Sequence, residues 1–339
     1  MPKFVFYIPI YNLNLENLKS INFNSNVKLL TFTNYQKNNI LILLKKLISN
    51  NPNYKDNKSI QKEIFEYYRK DLDKFVNKTC IRVEINDKNR ENALNRAIEF
   101  VNQFINVLKL YRYPNDCHYR RYFGIEGEMI EKGYRKIYLI EDYKNLGGRG
   151  ETVGPLMKFN IDKVRLEYMK KNKFKKILNM IENKQKSDLD KKILSAINWY
   201  GESFNSNSVR YNRNESSQSE NDLNKIHNTK RFLNCIIALE SLFVGKNETN
   251  IKENLAKRFA FLMSDEYHHR CNGYERIKKL YDLRCEIVHE GKTHISQKDL
   301  KNSFEVTKYA ILGLLHRKER LGFKCFSDFQ KWCKKQELK

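Results

Sequence analysis

The chain has 339 residues, 40% of them hydrophobic and 31% charged, which supplies a core and excludes global disorder. No run of about 18 apolar residues occurs, which argues against a membrane span. The formal net charge of +24 attracts polyanions, so nucleic acid is the first partner to consider. An anionic membrane comes second, without a basic amphipathic helix to serve it. A merely soluble basic protein is the plain alternative.

In chain order, residues 1–186 are predicted as an α+β region. Met1–Pro9 has too short an apolar stretch for a signal peptide and reads as a strand, pointing to a cytoplasmic protein. Strands are expected at Lys3–Ile8, Val27–Phe32, Thr79–Ile85, Arg121–Glu126, Lys136–Glu141 and Leu156–Asn160. Helices are expected at Ile60–Val76, Asn92–Tyr111 and Asp162–Ile181. The glycine cluster from Gly147 to Pro155 is expected as a flexible loop. A phosphate cradle would need a helix after it, and a strand-like segment follows instead.

A boundary is placed at Lys184–Ser187, because the pattern beyond it is almost wholly helical. Residues 187–339 are expected as an all-α bundle, with helices near 187–207, 228–244, 251–264, 272–289, 298–318 and 327–337. Ser208–Asp222 reads as a loop. Gly245 and Gly291 stand where left-handed C-caps belong, and Ser327 with Gln330 resembles a capping box. This segment carries 28 Lys/Arg against 20 Asp/Glu, so most of the positive excess lies in residues 1–186.

Seven cysteines, none spaced CxxC, fit reduced thiols better than disulfides. Cys117-His118 and His268-His269-x-Cys271 lack a second spaced pair, so no metal or other cofactor is expected.

One helix carries a chemical anomaly. Ile277, Leu280, Tyr281, Ile287 and Val288 form an apolar stripe, and Arg284 falls inside it. The helix Phe232–Val244 has the matching one: Glu240 sits among Leu233, Ile236, Ile237, Phe243 and Val244. Charges in apolar stripes are costly unless paired, so Glu240 is expected to orient Arg284. His289 follows Arg284 by five residues, about 140° around a regular helix. Gly291 is expected to end the helix early enough for His289 to turn back to the same cleft. A helix C-terminus favours a protonated imidazole, placing an acid/base group beside a phosphate clamp. Arg112 and His118 have similar spacing, but Pro114 breaks any helix there.

Three segments together, Arg231–Phe243 (RFLNCIIALESLF), Leu255-Ala256-x-Arg258 and Leu280–Gly291 (LYDLRCEIVHEG), resemble a HEPN domain. The similarity is to the ApeA-like branch of abortive-infection, anti-phage defence and spans roughly residues 187–320. It implies a helical bundle that dimerises through this domain, and a metal-independent endoribonuclease. Arg284 would stabilise charge on the scissile phosphate. His289 would be the general acid or base for 2′-hydroxyl attack, leaving a 2′,3′-cyclic phosphate. The partners implied are RNA, tRNA among the candidates, and a phage-derived trigger or antitoxin. Two departures stand out. Cys285 occupies a place that often holds Asn, Asp or His, and Lys292 replaces the tyrosine of modified toxin-type members.

Arg231, Arg258 and Lys292 are the candidate RNA contacts, against the plainer reading of solvated surface charge. Residues 1–186 are read as a sensor or regulatory domain. Two alternatives to an enzyme remain open: an inactive HEPN module for RNA or nucleotide binding or dimerisation, and a buried structural Arg/His pair in an unrelated helical domain.

Overall fold

A computed structural model describes residues 2–10, 13–73, 75–112, 136–142, 145–151, 159–204 and 217–338, with only the backbone path for 136–142, 145–151 and 217–227. The chain packs as two compact units. Of the described residues, one holds 2–101 and 159–164; the other holds 102–112, 136–142, 145–151 and those from 165 to 338. The border of packing therefore runs inside a helix and at residue 164, not at the 186–187 position read from the sequence.

In chain order the elements begin with β1 (Lys3–Pro9), β2 (Leu13–Asn14), β3 (Ser20–Asn22), β4 (Val27–Thr31), α1 (Asn34–Asn50), α2 (Lys58–Asp73), β5 (Thr79–Asn86) and α3 (Arg90–Leu110). The sheet order is β1-β5-β4-β3, antiparallel throughout, with Lys3 opposite Asn86 and Val27 opposite Val83. Val27, Leu29, Ile81 and Val83 alternate onto one face and are buried, while Leu30 and Cys80 on the other face are buried with Phe32 under Ile40, Leu72 and Phe75. Helix α1 was not expected. Its apolar run Ile40–Leu44 covers every face of a helix, and Ile42, Leu43 and Leu47 remain exposed. It starts at a capping box in which the Thr33 N–H donates to Gln36 Oε1 at 2.9 Å.

The chain continues through β6 (Lys136–Asp142), β7 (Asn145–Glu151) and β8 (Phe159–Asn160). Part of the expected glycine loop is thus a strand, paired antiparallel with β6. β8 lies parallel to β2. The expected strand Arg121–Glu126 lies outside the described residues.

The helical unit contains α4 (Lys163–Lys171), α5 (Phe174–Glu182), α6 (Asp188–Glu202), α7 (Ser217–Phe243), α8 (Ile251–Met263), α9 (Tyr267–Glu290), α10 (Gln297–Leu321) and α11 (Phe326–Glu337). The single helix expected over Asp162–Ile181 is broken at Lys173, whose φ of 69° is left-handed. α7 begins at Ser217, inside the expected loop. Phe232, Leu239, Leu255, Phe259, Ile277, Phe304, Ile311 and Phe329 are buried in this core, bringing α7, α8, α9, α10 and α11 together. Gly291 and Gly322 end α9 and α10 at φ 72° and 68°, as left-handed caps do. Gly245 does not adopt that conformation; its N–H donates to Glu248 Oε2 at 2.9 Å. The cap of α11 is Cys325 with Asp328, not Ser327 with Gln330. Among the described residues no helix is long and apolar enough to cross a membrane.

Candidate functional site

Glu240 reaches the site from the last turn of α7, and Tyr281 and Arg284 from one face of α9. Leu280 and Ile277 bury that face of α9. Arg284, one turn past Leu280, is consequently carried to the edge of the seam with α7. The expected ion pair is present: Arg284 Nε lies 3.7 Å from Glu240 Oε1, with side chains 27% and 24% exposed. The guanidinium also stands 5.6 Å from the centre of the Tyr281 ring. Burial, and then the charge of Glu240, raise the Tyr281 phenol above its ordinary range, so it stays protonated and able to donate.

Glu240 Oε1 is buried and accepts no hydrogen bond from the described residues. The contact with Arg284 is coulombic and too long for a hydrogen bond. An arginine held this loosely keeps N–H donors available to a phosphate, which it grips through paired bonds. Cys285 follows Arg284 and is half-buried.

His289 is placed differently from the expectation. α9 stays helical through Glu290, and the Gly291 and Lys292 N–H groups both close on Glu286 O. The cap thus forms one turn too late to release the imidazole. His289 is exposed and remains about 140° around α9 from Arg284. The turn of His289 toward the Arg284 cleft of its own chain does not occur.

The candidate RNA contacts separate. Arg231 Nε donates to Ser203 O at 3.0 Å and its guanidinium lies 4.9 Å from the Phe304 ring centre. Arg258 makes two 2.6 Å hydrogen bonds to Glu248, also donates to Phe243 O, and is 11% exposed. Both make contacts that hold helices together. Lys292 stays on the surface, paired with Glu286. The sequence reading also missed Glu248, which sits in an aperiodic loop, and Lys192. The Lys192 ammonium donates to Ser241 O and Val244 O at the end of α7. Among the described residues no group of three or more His, Cys, Asp or Glu is placed to hold a metal.

No family model, curated protein or solved structure matches the chain.

Proposed function

We propose that the helical unit is a metal-independent endoribonuclease effector of the anti-phage, abortive-infection type. The observation that carries the reading is the loosely paired, partly exposed Arg284, set between Glu240 and Tyr281 inside the motifs that resemble a HEPN domain. Arg284 stabilises the pentavalent phosphate, and Glu240 orients it. The RNA 2′-hydroxyl attacks phosphorus and gives up its proton. The 5′-oxygen leaves and takes one, with His289 serving as acid or base. The products are a 2′,3′-cyclic phosphate and a 5′-hydroxyl. Arg284 and His289 of one chain lie on different sides of α9, so the reading takes two chains, each supplying one group to a shared site. Residues 1–186 are the sensor or regulatory part, and the compartment is the cytoplasm.

Incubating the full chain with total RNA in EDTA tests this. Cleavage to cyclic-phosphate ends is expected, falling by about a thousandfold or more in Arg284→Ala and in His289→Ala. Cleavage that persists in both folded variants overturns the reading. Cys285, a poor hydrogen bonder beside the arginine, favours a second one: an inactive module that binds RNA or nucleotide. RNA retained without any cut product would point there.

A further inference from the structure

A concave site lies in the helical unit, and none of Glu240, Arg284 and His289 lines it. It is a cavity of about 850 Å³, a size typical of small-molecule sites. α10 forms its floor, the end of α8 one wall and the junction between α4 and α5 another. The floor depends on Gly313. A Cβ there would stand 3.1 Å from Leu262 Cδ2 and 3.8 Å from the Tyr309 ring. Gly313 is therefore where Leu262 of α8 packs directly on the α10 backbone, beside the Tyr309 side chain, which is 47% exposed. Tyr168 adds a second ring from α4, with Lys308 Nζ 5.2 Å from its centre.

The lining is strongly unbalanced in charge, with five Lys/Arg against two Glu. One of those, Glu319, is already held by Lys173 at 2.6 Å and by Lys176. Complete pairing inside the cavity would still leave positive charge over. His316 does not add to it. Burial, and then the Lys173 ammonium, hold its imidazole below the ordinary range, so it is a neutral polar group at pH 7.

We infer that this cavity binds a small molecule made of a planar ring carrying an anionic group. The ring lies against Tyr309, and the anion is taken up by the surplus cations of the lining, Arg320 among them. Stacking on tyrosine selects a flat apolar body, and the cations select the charge through hydrogen bonds stronger than neutral ones. An aliphatic anion has no use for the exposed tyrosine ring, and a bare inorganic anion leaves the apolar lining wet.

Calorimetric titration of the full chain with 1-naphthyl phosphate, inorganic phosphate and laurate tests the inference. Saturable binding of 1-naphthyl phosphate at one site per chain is expected. Inorganic phosphate and laurate should bind at least about tenfold more weakly. Tyr309→Ala and Arg320→Glu, each checked for folding by thermal melt, should each weaken 1-naphthyl phosphate about tenfold or more. Lys298→Glu, at the far end of α10, should leave its affinity unchanged. The inference is overturned if 1-naphthyl phosphate does not saturate, if phosphate or laurate matches it, or if both cavity variants bind as the parent does. RNA cleavage is not the readout, so failure here leaves the ribonuclease proposal standing.

Discussion

Arg258 holds Glu248 through two hydrogen bonds of 2.6 Å, and Glu248 also accepts from the Gly245 N–H and the Gln330 amide. This clasp joins α8, the loop after α7, and α11. The Arg258 hydrogen bonds chiefly, with the Gly245 N–H and Gln330 assisting, pull the Glu248 carboxyl from 4.5 down to about 2. A depressed carboxylate stabilises the fold fully above its unfolded value and loses that contribution as pH falls toward the folded one. The contribution is thus present above about pH 4.5 and lost on the way to about pH 2. Glu248→Gln is expected to cost on the order of 2–3 kcal/mol at neutral pH, because Arg258 keeps a poorly solvated charge without its partner. Chemical denaturation at neutral pH measures the cost. The same titration repeated down to acid should show a shallower loss of stability than the parent shows; an unchanged slope would rule out this clasp as its source. Residues of this kind differ in how readable they are. Glu240 and Arg284 each interrupt an apolar stripe, so their pairing shows in the sequence. Glu248 lies in a loop with no period, and nothing marks it as the partner of Arg258.

Whole elements follow the same logic. α9 and α10 are visible because their apolar residues recur at helical spacing and both meet glycine at the end. α1 is hidden because its apolar residues run consecutively, a pattern that fits a buried strand as well as a helix. The break between α4 and α5 is hidden too, since Lys173 adopts a left-handed conformation without a glycine or proline to signal it. The end of α9 was legible in position but not in consequence. Gly291 stops the helix, yet only after His289 has taken helical geometry. Its φ is 72°, and a Cβ would meet nothing within 4 Å. The cost of Gly291→Ala is then purely one of backbone conformation, about 1 kcal/mol. A thermal melt should fall by a few degrees, and Gly291→Asn by less, asparagine being tolerant of this conformation. Equal losses in the two variants would show that the cap is not what α9 relies on.

At the scale of the molecule, the mixed α+β character of the first region and the helical character of the second were both legible from composition and periodicity. The border between them was not. Part of α3, with α4 and α5, belongs to the helical unit. Tyr111 Oη donates to Asn172 O at 2.7 Å, and Gly201 leaves room for Asn106 against α6. Packing of this kind joins residues far apart in sequence, where local patterns carry no information. A cut at residue 187 would strip these side chains from the bundle they complete.

The late stop of α9 has a genetic signature. If each reacting centre borrows its guanidinium from one subunit and its imidazole from the other, two dead proteins can rescue each other. Arg284→Ala and His289→Ala chains, mixed after dissociation and allowed to reassociate, would form mixed pairs with one intact centre and one doubly damaged. Turnover should reappear at roughly a quarter of the parental level, half the pairs being mixed with one working centre each. A mixture as silent as its components would mean that the two side chains never meet across an interface.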